Sequence, residues 1–285
     1  MPSLRQIKRR IRSIENTGKV TKAMEMIAAS KMRRAQASVL AGRPYSEKIQ
    51  EVIAHLAAQP AEQDVVQPLL EQREVRRIQV VQITPDRGLC GGLHSNLNRR
   101  VAQFISQQSV PVGIISVGRK GRDFMIRYGQ DVKAAFTGLG DRPVVADTSV
   151  ISRMVVDDYS EGSFDQVFIS YMEFVSTTVQ QPVVRQLLPI VPAELQATQR
   201  VGYIYEPDAS TVLESLLPRF VEMEIYHAVL ELIASEQSAR MVAMRNATES
   251  ASEMVTDLTL LANKVRQETI TSELLDLIAG AAAVR

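Results

Sequence analysis

An α/β domain with a mainly parallel sheet, joined to a long antiparallel two-helix coiled coil, is the fold class that the sequence predicts. Three observations predict it. In the middle of the chain, strand-like runs rich in Val and Ile alternate with helical runs. At both ends, apolar and small residues recur at steps of three and four. From Arg219 to Ala279 there is neither a glycine nor a proline to break a helix.

The C-terminal stripe runs through Leu230, Ala234, Met241, Met244, Ala251, Val255, Leu258, Ala262 and Val265. Its steps average about 3.5 residues, the repeat of a left-handed coiled coil. Gln237 and Thr248 are polar insertions at seam positions and are expected to weaken it slightly. The N-terminal segment matches, with Leu4, Ile7, Ile11, Ile14, Gly18, Thr21, Ala28, Met32, Ala35 and Val39. The small residues permit close approach, and each stripe is the simplest partner for the other.

Length sharpens the expectation. Helices over 3–57 and 209–283 would be roughly 80 Å and roughly 110 Å long at 1.5 Å per residue. Paired antiparallel, residue 3 falls opposite about residue 263, so about 20 residues, or roughly 30 Å, would protrude alone. That piece ends in a tip with no charge or hydrogen-bonding side chain from Leu277 to Val284. An exposed apolar helix end aggregates unless another molecule surrounds it.

The middle reads as strands at 76–84, 111–117, 165–171 and 183–191, with helices at 96–106, 120–129 and 143–159. Strand alternating with helix implies a Rossmann-like, mainly parallel sheet with flanking helices. The domains expected are a discontinuous shaft over 1–60 and 209–285 and an α/β foot over 75–195. Residues 60–74 and 196–208 are connectors.

Composition narrows the function. The chain has 285 residues, 45% hydrophobic and 23% charged, with a formal net charge of +1, which argues against a protein devoted as a whole to nucleic acid. A single cysteine, Cys90, excludes an internal disulfide and suits a reducing compartment. The N-terminus has no apolar stretch for a signal peptide, and no run approaches the roughly 18 apolar residues of a membrane helix. A cytoplasmic protein is expected. Charge is locally uneven, with ten Lys or Arg and two acids between Met1 and Arg34. A solvated helix face accounts for most such runs, but +8 on one helix of a neutral protein implies an acidic partner: nucleic acid, anionic lipid or acidic protein.

Catalytic chemistry is hard to find. DRGLCGGL (86–93) follows a strand and precedes a helix without being G-x-G-x-x-G. GIISVGRK (113–120) approaches a phosphate loop, but Arg119 displaces the lysine and the first glycine falls in a strand. Tight strand–helix turns are the simpler reading of both. His55, His94 and His227 have no paired ligand spacing. Cys90 has no second cysteine nearby, and no base for it is identifiable, so no metal or nucleophilic site is expected.

Five blocks carry a resemblance: NTGKVTKAMEMIAASKMRRAQ (16–36), TPDRGLCGGL (84–93), YIYEPD (203–208), ASEQSARMVAMRNAT (234–248) and ITSELLDLIAGAAA (270–283). In order and content they closely resemble the gamma subunit of bacterial F-type ATP synthase. The last block fits that family's C-terminal signature at Ile270, Thr271, Glu273, Asp276, Gly280 and Ala281. The stretch 130–165 carries little of the resemblance.

The resemblance implies a non-catalytic central rotor shaft, one copy per complex, inside a ring of three alpha and three beta subunits. Its foot would stand against the epsilon subunit and the c-ring of Fo, with no nucleic acid and with the membrane reached only through Fo. That places it on the cytoplasmic face of the plasma membrane as a peripheral protein. Proton flow turns the c-ring, and the asymmetric shaft drives each beta site through different nucleotide affinities. ATP, ADP and Mg would be bound by alpha and beta, with no cofactor on this chain. The family's basic collar falls on Lys31, Arg33 and Arg34, and its polar catch on Arg266 and Gln267. Met24 and Arg240 match shaft-interface positions, although Met24 also suits a coiled-coil core. Tyr203, Tyr205 and Glu206 match the contact with the c-ring. Leu277, Ile278, Ala281, Ala282, Ala283 and Val284 would form the apolar bearing tip, where weakly directional dispersion contacts suit rotation. The two-cysteine redox switch of plant chloroplast members should be absent. Two readings from other classes remain: a basic coiled-coil nucleic-acid-binding or scaffold protein, and a nucleotide-using enzyme.

Overall fold

The computed structural model describes residues 3–57, 67–191, 206 and 208–283. The element order is α1 (Leu4–Ala57), β1 (Ile78–Ile83), α2 (Leu93–Ser106), β2 (Val112–Val117), α3 (Arg119–Arg127), β3 (Asp131–Phe136), α4 (Val145–Ser160), β4 (Gln166–Phe174), β5 (Gln180–Leu188) and α5 (Ala209–Ala283). Two compact units result, Met1–Ala28 with Arg240–Arg285, and Ala29–Ala239.

Both long helices start on side-chain caps. Ser3 and Gln6 form a reciprocal pair, Ser3 N–H to Gln6 Oε1 at 3.0 Å and Gln6 N–H to Ser3 Oγ at 3.3 Å, which supplies two otherwise orphaned amides at the head of α1. Asp208 caps α5, accepting from Thr211 N–H and Thr211 Oγ, each at 2.8 Å. Those bonds hold its carboxyl below the usual carboxylate range.

In the smaller unit the two helices run antiparallel. Gly18 faces Ala251, where an added Cβ would lie 3.5 Å from the alanine Cβ, so the small residues bring the backbones close. Thr21 and Thr248 hydroxyls meet across the seam at 2.8 Å. The polar insertion at Thr248 is thus matched by a polar partner. A satisfied polar layer selects one register rather than merely weakening the stripe. One turn away Glu25, buried, accepts from Lys22 at 2.9 Å and from Arg245 at 3.3 Å. The Lys22 bond holds the Glu25 carboxyl below its ordinary value of 4.5, burial opposes this, and Arg245 adds to it. A depressed carboxyl contributes stability above its unfolded pKa, and that contribution disappears as pH falls through the folded value. Wild-type chain is therefore expected to lose stability below about pH 4.5. In Glu25→Gln this acid-side loss shrinks, as thermal melting by circular dichroism at neutral and acid pH will show.

The larger unit holds a five-stranded sheet of order β3-β2-β1-β4-β5, parallel except for the β4–β5 pair. Val80, Val81, Ile83, Ile114, Ile115 and Val167 are fully buried, as strands covered on both faces require. Gln79 and Gln82 point to opposite faces: Gln79 donates to Asp158 of α4 at 2.7 Å, and Gln82 to Asn98 of α2 at 2.8 Å. Parts of α1 and α5 complete the core through Ile49, Ile53, Leu217, Val221 and Ile225.

Four strands were expected and five are present among the described residues. The unassigned one is β3, an edge strand whose residues alternate between exposed and half-buried; Asp131 and Lys133 dilute its apolar pattern. β4 extends to Phe174, and β5 spans Gln180–Leu188 rather than 183–191. The terminal helices match the expected spans within a residue.

On β4, burial pushes the Tyr171 phenol up to about 12, an effect that Arg185 opposes and Glu173, Glu231 and Glu224 reinforce. A raised folded pKa contributes stability that is complete below the unfolded value of 10.0 and disappears as pH rises through the folded one. In an ultraviolet titration of the seven tyrosines, Tyr171 is expected to ionise last, in step with unfolding between about pH 10 and 12. Tyr171→Phe should remove that late step.

Candidate functional site

Burial along α5 marks where its partner helix ends. Among the described residues Ala262 is the last buried one and Val265 is half-buried; every residue from Arg266 to Ala279 is exposed. That free stretch presents Ile270, Leu274, Leu275, Leu277 and Ile278, with Leu277 70% and Ile278 65% exposed. Large apolar side chains on a lone helix require a cover. On the same unit Arg5, Lys8, Arg9, Arg10 and Arg12 are exposed on α1, a basic surface beside an uncovered apolar rod.

The glycine turn before α3 is filled by the chain itself. Gly118 has φ +97, and a Cβ there would lie 1.9 Å from the Thr84 carbonyl oxygen. The amides at the head of α3, which a phosphate would use, already have partners. Gly118 N–H donates to Phe136 O at 2.7 Å, Lys120 N–H to Pro85 O at 3.2 Å, Arg119 N–H to Asp86 Oδ1 at 2.9 Å, and Gly121 N–H to Thr84 Oγ at 2.8 Å. Asp86 also accepts from Gly138 N–H at 2.8 Å, so one carboxylate staples two turns. An incoming phosphate would have to displace it.

Cys90 has a neighbouring base that the sequence did not reveal: His94 Nδ1 lies 3.8 Å from Sγ. Burial, helped by the charge of Lys120, holds the imidazole below its usual range and so disfavours the cationic form that would stabilise a thiolate. The thiol is fully buried. The two other histidines lie elsewhere, His55 buried near the end of α1 and His227 against Gly42. Among the described residues no group of three or more His, Cys, Asp or Glu could hold a metal.

Comparison with known proteins decides the family. The sequence pattern described as ATP synthase matches residues 3–284. The ATP synthase gamma chain of Dehalococcoides mccartyi is 60% identical over 284 residues, with all of both chains covered. The chain belongs to the ATP synthase gamma family. Another gamma chain, from Chloroflexus aurantiacus, is 48% identical over 288 residues and covers 100% of this chain and 99% of its own. Two solved structures share the fold. In the central stalk and c-ring of Tetrahymena thermophila mitochondrial ATP synthase, a chain 24% identical has a TM-score of 0.61 over 80% of this chain and 99% of that one. In the rotor of Euglena gracilis mitochondrial ATP synthase, a chain 20% identical has a TM-score of 0.66 over 94% and 98%.

As a gamma chain it is a subunit of ATP synthase, and among its described residues no helix is long and apolar enough to cross a membrane. The positions expected to be functional in a gamma chain fall as follows. Arg266 and Gln267 are exposed where α5 becomes single, and Leu277 and Ile278 lie exposed further along the same helix. Ala281, Ala282 and Ala283 continue its backbone, and Val284 lies outside the described residues. Met24 and Arg240 are half-buried. Arg33 and Arg34 are exposed, whereas Lys31 reaches Asp141 of its own chain at 2.5 Å. Glu206 is exposed, and Tyr203 and Tyr205 lie outside the described residues. Sequence reading overlooked Glu25 with Arg245, and also Asp86. A buried acid inside a coiled-coil stripe was the only local signal for the first; nothing local pointed to the second.

Proposed function

We propose that this gamma chain is the non-catalytic rotor shaft that couples c-ring rotation to the nucleotide sites of the beta subunits. The observation that carries the proposal is the exposed stretch Arg266–Ala279, polar at its start and apolar toward its end. Such a stretch is suited to a sleeve that allows turning, because dispersion contacts are numerous and hardly directional. In this reading Arg266 and Gln267 engage beta as a catch, and Lys31, Arg33 and Arg34 form a basic collar facing acidic beta surfaces. Met24 and Arg240 line the shaft, while Tyr203, Tyr205 and Glu206 meet the c-ring. Lys31 would exchange Asp141 for an acidic partner, at low cost because the pair is partly exposed.

Epsilon and the c-ring are the partners proposed for the foot. ATP, ADP and Mg belong to alpha and beta, and the occupied amides of α3 support a chain without its own nucleotide. The assembly would lie on the cytoplasmic face of the membrane. Rotation changes affinity only if the shaft contacts the beta states unequally, which an asymmetric pair of unequal helices provides. Co-expression with alpha and beta, followed by sizing and an ATPase assay, tests the proposal. One active complex containing a single copy of this chain is expected, and failure to assemble would overturn it.

A further inference from the structure

Among the polar residues buried on α5, three lie one position on from the seam residues Leu230, Ala234 and Gln237. Glu231, Ser235 and Ser238, spaced by four and three, lie on one face of the helix and are 7%, 0% and 0% exposed. Each is bonded to the backbone of the β4–β5 hairpin. Phe174 N–H donates to Glu231 Oε2 at 2.8 Å, Ser235 Oγ donates to Met172 O at 3.0 Å, and Ser238 Oγ donates to Thr177 O at 2.6 Å. The sheet is thereby tied to the helix over two turns by directional bonds, the central one buried and the outer two partly so.

Two other polar ties between the sheet side and the long helices are weaker in kind. Lys31–Asp141 is a partly exposed ion pair, screened by solvent and held by two flexible side chains. Tyr226 donates to Pro143 O at 3.3 Å, a long bond to the same loop. Apolar packing resists separation but lets surfaces slide, because its contacts have little preferred direction. Hydrogen bonds between a helix face and fixed strand backbone resist both sliding along the helix axis and turning about it. Burial strengthens them, and an orphaned partner inside is costly.

From this we infer that Glu231, Ser235 and Ser238 are positioning residues that lock α5 to the sheet and carry torque between the foot and the shaft. The inference rests on the rotor reading: the foot must turn the helix, and this row is where the helix is gripped. Beyond Ser238, α5 continues unbroken to Ala283, so whatever is held at the row is delivered along the rod.

The test uses the assembled ATP synthase in vesicles, with ATP hydrolysis and ATP-driven proton pumping measured together. In Ser235→Ala/Ser238→Ala two of the three bonds of the grip are lost while the beta sites are untouched. Hydrolysis is expected to persist and protons pumped per ATP to fall about fivefold or more against an opposing gradient, the factor that one net hydrogen bond is worth. Ser235→Thr, which keeps the hydroxyl, should retain the wild-type ratio. A purely structural role would lower assembly and both activities in proportion, and that outcome, like an unchanged pumping ratio, would overturn the inference. If the double variant does not assemble, Ser238→Ala alone is measured against the same two criteria. Failure of the wild-type chain to assemble or pump would instead sink the rotor reading itself.

Discussion

The double variant Leu277→Glu, Ile278→Glu is expected to leave folding of the isolated chain unchanged and to disable the assembled complex. Both side chains are exposed at 70% and 65%, and surface changes away from special features usually stay within about 0.5 kcal/mol. In an apolar sleeve the balance reverses. Taking a carboxylate out of water costs several kcal/mol per ion even after relaxation. About 4 kcal/mol for the pair would weaken the seat of the tip roughly a thousandfold. Matched melting curves for the free chains, with ATPase activity and sizing of the complexes, check it. Normal turnover in the variant complex would remove the sleeve.

The second large effect belongs to Gly118→Ala. With φ +97 and ψ 146, the turn occupies a region that is essentially glycine's alone, where another residue costs about 1–3 kcal/mol. An added Cβ would also sit 1.9 Å from the Thr84 carbonyl oxygen, with the Thr84 hydroxyl at 2.9 Å. Neither can yield easily, because both belong to a network joining β1, β2 and α3. Overpacking of this kind adds about 1–3 kcal/mol, for a total of about 4 kcal/mol, a large share of the roughly 5–15 kcal/mol that a domain possesses. A sharply lowered denaturant midpoint is expected for the variant, and an unchanged one would show that the turn relaxes.

Much of the architecture was legible because it is local. The terminal helices announce themselves through a long 3.5-residue repeat and an absence of breakers, and β1, β2 and β4 through short Val- and Ile-rich runs. The edge strand β3 was not legible, since half-exposed residues such as Asp131 and Lys133 face water and carry no apolar alternation. The protruding end of α5 was legible for a different reason: it follows from subtracting one helix length from the other. The roles of Arg266 and Gln267 came only from the resemblance. Lys31 was expected on a basic helix face, and its engagement with Asp141 joins residues 110 positions apart and has no sequence signature.

By itself the sequence determined two rods of unequal length, a small-residue seam between them, an apolar free end, and a parallel sheet between the two rods in sequence. Each of these depends on residues a few positions apart, whose spacing alone decides which face is apolar. Tertiary structure alone decided which polar groups meet. Thr21 finds Thr248 across 227 positions, Asp86 staples the turns before α3 and after β3, and the buried row of α5 grips the hairpin from Glu231 to Phe174 across 57. Hydrogen bonds reach only about 3 Å. Their partners are therefore settled by where the chain returns in space, a matter on which the order of residues along it is silent.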